Sequence, residues 1–165
     1  MKRRAACILA LAATLSACGF QLRGSNGQAA LPFKTIFLGV PESSPLGIEL
    51  KRYIRASGDT AIVTEPKAAQ AIIDVLSESR EKTTLSLNTQ GRVREYSLFY
   101  KVRFRVKDNA EKELLAPTEI TLKRDISFNE SQVIAKEKEE ETLYRDMQSD
   151  VVQQILRRVA ALKSA

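Results

Sequence analysis

From Tyr96 to Val106 every second residue is apolar: Tyr96, Leu98, Tyr100, Val102, Phe104 and Val106. Between them lie Ser97, Phe99, Lys101, Arg103 and Arg105, and Lys107 follows. Side chains alternate across a strand, so this pattern predicts one core face and one face carrying four cations. Asp108-Asn109 turns the chain, and Ile120, Leu122, Ile126 and Phe128 then alternate with Thr121, Lys123 and Asp125. That spacing predicts a second, antiparallel strand. Upstream, Ala71 to Leu87 reads as one long strand. Ile73 and Val75 alternate, polar residues intrude, and Leu85 and Leu87 resume. The intrusion suggests a bulge near Ser77–Lys82. Asn88-Thr89-Gln90-Gly91 is a hairpin signal between the two long strands.

Helical spacing frames this region. Thr35 to Val40 is a short apolar run that reads as a buried strand. Ser44 suits a helix cap, with Pro45 in the first turn. Leu46, Leu50, Tyr53 and Ile54 then share a face, and Gly58 stands where a left-handed residue would end the helix. Thr60 to Thr64 reads as a further strand, stopped by Pro66. Strand, helix and strand in so short a span predict a right-handed crossover with parallel pairing. From about Lys136 the period is helical again, with Leu143, Met147, Val151, Ile155, Val159 and Leu162 in one stripe. Glu137 and Glu139 to Glu141 load its start and Arg157, Arg158 and Lys163 its end, as the helix dipole favours. The expected fold is α+β: two helices packed on one face of a mixed, mostly antiparallel sheet of four to five strands, in the order β-α-β-β-β-β-α.

The N-terminus follows neither period. Met1-Lys2-Arg3-Arg4 is basic and Ala5 to Ala13 is apolar. The apolar run is about half the length a helix needs to span a bilayer, so the layout is that of a secretory signal. Leu15-Ser16-Ala17-Cys18, directly after it, resembles a bacterial lipobox. That resemblance implies cleavage before Cys18, lipidation of its sulfur and acylation of the new amine. Gly19, rather than Asp, implies sorting to the outer membrane, on its periplasmic side. The expected organisation is a signal at residues 1–17, a lipidated Cys18 with a tether over 18–32, and one domain over 33–165.

Composition then narrows the chemistry. Residues 1–17 hold three of the 26 basic residues and none of the 20 acidic ones, so the chain from Cys18 onward carries +3 rather than +6. With export, that argues against a nucleic-acid partner. Of the two cysteines, Cys7 leaves with the signal and Cys18 takes the lipid, so no disulfide or thiolate metal site is expected. The chain has no His and no Trp. His-dependent triads and His-ligated zinc are therefore excluded. No phosphate-cradling Gly motif appears, and no cofactor or metal is expected. A hydrolase built on two carboxylates is the one enzymatic alternative, and the strand region offers it no tight Asp/Glu constellation.

Cys18-Gly19-Phe20-Gln21-Leu22-Arg23-Gly24 resembles the start of the LptE family of lipopolysaccharide-assembly lipoproteins. Pro45-Leu46 at the first helix, Gly91 through Glu95-Tyr96 at the hairpin, and Arg124, Phe128-Asn129 and Ala135-Lys136 before the last helix add weaker matches. The resemblance implies a lipoprotein seated as a plug in the β-barrel LptD, assisting its assembly and the delivery of lipopolysaccharide to the outer leaflet. It implies no enzymatic activity. The hairpin tip departs from the family, because Asn88, Thr89 and Gln90 supply no cation. The chain also stops at Ala165, where some members carry a long tail.

Lipopolysaccharide carries phosphates and carboxylates, which Arg and Lys recognise by fork and by point charge. The candidate binding residues are Arg92, Arg94, Lys101, Arg103, Arg105, Lys123 and Lys136. If both helices cover the apolar sheet face, Lys101, Arg103 and Arg105 lie on the uncovered one. By alternation Lys123, rather than Arg124, shares that face. The competing reading is a structural or pilotin-like lipoprotein that escorts a different outer-membrane channel and needs no surface for an anionic glycolipid.

Overall fold

The computed structural model describes residues 31–58 and 60–162. Cys18 and the predicted signal and tether up to residue 30 lie outside the described residues. The elements follow the expected order: β1 (Thr35–Gly39), α1 (Pro45–Ser57), β2 (Ala61–Ile62), β3 (Ala71–Leu87), β4 (Val93–Lys107), β5 (Glu113–Ser127) and α2 (Val133–Ala160). They form an α+β fold with one five-stranded sheet in the order β2-β1-β3-β4-β5. β1 pairs parallel with β2 and β3, whereas β3–β4 and β4–β5 are antiparallel.

Local chemistry sets the boundaries. The Ser44 hydroxyl accepts from the Gly47 N–H at 3.3 Å, Pro45 opens α1, and Gly58 closes it at φ 80°. β2 has only two residues, shorter than the Thr60–Thr64 expected, and pairs with Thr35 and Ile36 of β1. Both long hairpins turn in the same way. Asn88 and Asp108 each use a side-chain oxygen to accept two main-chain N–H groups, two and four residues on. The left-handed position that follows is Gly91 in one turn and Glu111, at φ 64°, in the other. Glu111 is held there by its carboxylate, which pairs with Lys107 at 2.8 Å.

The core lies between the sheet and the helices. Ile36, Ile73, Leu98, Tyr100, Val102, Phe104 and Val106 supply the sheet side and are fully buried. Leu46, Leu50 and Ile54 of α1 and Met147, Val151, Val152, Ile155 and Val159 of α2 supply the other. Leu143 and Leu162, placed on the same stripe by period alone, are only partly buried at its ends. Leu31 and Phe33 also enter this core. The two helices are clamped by a buried carboxylate. Glu49 of α1 accepts from Gln148 Nε2 at 2.8 Å and from the Ser149 hydroxyl at 2.6 Å, both on α2.

Candidate functional site

β4 delivers its two faces as the alternation requires. Tyr96, Leu98, Tyr100, Val102, Phe104 and Val106 point under the helices, and Lys101, Arg103 and Arg105 point to the opposite side. Lys123 pairs with Phe99 in register, which puts it on the same outer face. Arg124 falls on the helix side, where it reaches Asp150 of α2 at 3.1 Å.

The outer face is not a bare cationic surface. Asp74, the cross-strand partner of Arg105, accepts from both Nε and Nη2 of that guanidinium at 3.1 Å. Lys107 stands 3.4 Å from the same carboxylate. The Lys107 ammonium is thereby held above its usual pKa, chiefly by its bond to Glu111. Lys101 donates to Glu81 at 2.8 Å, and Lys123 lies 3.2 Å from Asp125. Asp125 sits below the usual carboxylate range because the Ser97 hydroxyl donates to it, with Lys123 adding to the effect. Arg103 is the exception. It is exposed, opposite Ser77 on one side and Glu119 on the other, with no ion-pair partner within 4.0 Å among the described residues. Five cations thus share this face with Asp74, Glu81, Glu111, Glu119 and Asp125, leaving it near neutral. Arg105–Asp74 and Lys107–Asp74 are partly buried, whereas Lys123–Asp125 is an exposed pair that contributes little, so an anionic ligand competes most readily for Lys123 and Arg103.

The other candidates gather at the far end of the sheet, where Glu95 pairs with Ser127. Arg92 pairs with Glu130 at 3.0 Å, while Arg94 is exposed without an ion pair among the described residues. Lys136 belongs to the helix side. Its ammonium donates to the Ser127 hydroxyl and to Glu139, both at 2.9 Å. It lines a cleft of about 190 Å³ with Lys82, Tyr96, Ile126 and Phe128. Tyr96 and Phe128 meet edge to face there, with ring centres 5.3 Å apart. Leu87 and Ile134 are exposed at this same end. Exposed large apolar side chains therefore accompany the cations here, whereas on the outer face Lys101 lies over the partly buried Phe99 ring.

One cluster escaped the sequence reading. The charged residues of β3 that face the helices beyond Val75 are Glu78, Arg80 and Lys82. Burial raises the Tyr100 pKa, and Glu78, which accepts from its hydroxyl at 2.7 Å, raises it further. Arg80 lies over the rings of both Tyr100 and Tyr144. Lys82 reaches Glu140 of α2 at 2.6 Å and sits 4.3 Å from the Tyr96 ring centre. The signal was present: these three residues repeat at the strand period, but a one-residue bulge at Leu76 shifts their face.

A family model described as LptE, lipopolysaccharide-assembly, matches residues 33–159. The chain is 24% identical over 160 residues to the LPS-assembly lipoprotein LptE of Pectobacterium atrosepticum, spanning 96% of this chain and 85% of that one. The LPS-assembly lipoprotein LptE of Yersinia enterocolitica is 24% identical over 159 residues, spanning 96% of this chain and 76% of that one. Among solved structures, an uncharacterized lipoprotein B from Nitrosomonas europaea superposes with a TM-score of 0.74 at 42% identity, covering 87% of this chain and 91% of that one. The rare lipoprotein B of Shewanella oneidensis gives 0.68 at 28% identity, covering 77% and 94%.

Proposed function

The chain belongs to the LptE lipopolysaccharide-assembly family, and from that membership we propose an outer-membrane lipoprotein that partners the β-barrel LptD and binds lipopolysaccharide on its way to the outer leaflet. Residues 1–17 are the signal, Cys18 carries the lipid, and residues up to 30 tether the domain on the periplasmic side. The observation that carries this reading is the family match over nearly the whole folded domain. The family is one of assembly lipoproteins and not of enzymes, and the role proposed is binding and escort without catalysis.

Geometry favours the far end of the sheet as the lipopolysaccharide contact. Arg92, Arg94 and Lys136 there stand beside exposed Leu87 and Ile134. A glycolipid presents both phosphate and acyl chain, and this end meets both needs. Lys101, Arg103, Arg105 and Lys123 form a second contact, which must compete with their own carboxylates. The test is titration of the purified domain with labelled lipopolysaccharide at two salt concentrations. Arg94→Glu with Lys136→Glu is expected to weaken binding more than Arg103→Glu with Arg105→Glu, and more so at low salt. Wild-type binding by both double variants would remove lipopolysaccharide recognition from these cations. Depletion in cells, read out as surface lipopolysaccharide and as folded barrel, tests the partnership separately.

A further inference from the structure

Among the described residues, β3 has an open edge along most of its length. β1 pairs with it only from Ala71 to Asp74, and β3 continues to Leu87. Val40 and Pro41 follow β1 and carry the chain away toward α1. Between register breaks at Leu76 and Leu85 lies an unbroken span, Ser77 to Thr84, paired with Arg103 to Tyr96. Every residue of that span is exposed, and none is proline. Among the described residues, one bond reaches its main chain from outside the sheet: the Tyr144 hydroxyl donates to the Glu81 carbonyl at 2.9 Å. The opposite edge of the sheet is guarded differently. β5 carries the exposed Pro117, and its register slips between Phe104 and Val106.

A long, regular, proline-free edge is a template for another strand. A second copy of this chain fits it poorly. Two β3 edges paired antiparallel about a two-fold axis must each avoid the other's β1. The registers that do so centre on Glu81 or on Lys82, which sets like charges directly opposite each other. A further shift, to a centre on Thr83, carries the Leu85 bulge inward, opposite Glu81. The edge is thus closed to itself and open to a different strand.

We infer that Ser77–Thr84 takes up an extended segment of the barrel partner as a sixth strand. This rests on the partnership proposed above and names the surface that serves it. Main-chain bonds hold the added strand, and alternate side chains select it. Arg80 and Lys82 favour an acid opposite them on the helix side, and Glu81 favours a cation or hydroxyl opposite it on the outer side.

The full chain is co-expressed with the barrel, with a photoreactive side chain placed in turn at Ser79 and Glu81 and, as controls, at Thr121 and Lys123 of β5. Thr83→Pro and Thr84→Pro are made separately. N–H groups alternate between the two sides of an antiparallel strand, so one of these meets only the open edge and the other breaks the ladder to β4. Thermal melting tells them apart. The expected result is cross-links to the barrel from β3 and not from β5, with barrel capture reduced about tenfold or more by the variant that melts like wild type. Undiminished capture by that variant, cross-links from β5 alone, or β3 cross-links joining two copies overturns the inference. If wild type itself captures no barrel, the partnership fails and the inference falls with it. If wild type and the edge variant both capture it, only the edge assignment falls.

Discussion

The two halves of β3 lie in one strand and live in different surroundings. Ala71, Ile72 and Ile73 are buried between β1 and β4. From Leu76 to Leu85 every residue is exposed, and the row facing the helices turns to Glu78, Arg80 and Lys82. β4 alongside does not change character: Leu98 and Tyr100 remain fully buried to the same distance. The difference is one of cover. A helix with its side chains is about 10 Å wide and strands lie about 4.8 Å apart, so one helix roofs roughly two strands. Near β1 two helices share the roof. Farther out α2 alone lies over β4 and β5, and β3 is left at the eave.

The largest expected effect separates the roofed region from the open one. Ile155→Asp puts an unpaired charge in the core and should cost about 3–5 kcal/mol, whereas Leu85→Asp should stay within about 0.5 kcal/mol. Denaturant titration of both variants checks this, and comparable costs would erase the contrast. Next comes the seam where β1 ends. A Cβ on Gly39 runs into the Asp74 carboxylate that holds Arg105. Gly39→Ala should therefore cost about 1–3 kcal/mol, and much less in an Asp74→Ala background, where the obstacle is gone. In the open half, Arg80→Ala removes two ring contacts and should lower stability by about 1 kcal/mol. An unchanged melting temperature would mean that the stacking on Tyr100 and Tyr144 adds nothing.

The smallest effect is one of pH. The folded-state pKa of Asp125 is depressed, first by the Ser97 hydroxyl and then by Lys123. Its contribution is thus present above the unfolded carboxylate value and is lost as pH falls through the folded one. Ser97→Ala should make the acid limb of melting temperature against pH slightly shallower. An acid limb identical to wild type would show that the Ser97 bond is not felt in stability.

What could be read from the sequence follows the same division. The alternation of β4 was legible because its two faces meet opposite environments along the whole strand. The caps of α1 were legible because Ser44, Pro45 and Gly58 each act within one turn. Parity also separated Lys123 from Arg124 correctly. The polar row of β3 was not legible as a face, because the Leu76 bulge shifts it and because its acceptor Glu140 is far along the chain. The ion pairs that quieten the outer face were hidden for a similar reason. Asp74 and Glu81 are neighbours of Arg105 and Lys101 only through the register of the hairpin. The start of α2 at Val133, ahead of the expected Lys136, was masked by a short 3₁₀ turn over Glu130–Gln132 that the Asn129 side chain caps.

Leu31 and Phe33 reach into the core just ahead of β1, and the Thr60 hydroxyl donates to the Phe33 carbonyl at 2.8 Å. β1 itself is gripped on both sides, by β2 and by β3. A pull on the N-terminal end along the strand axis therefore loads these bonds together, in shear, rather than peeling them singly. The domain is built to resist tension at its first described residues.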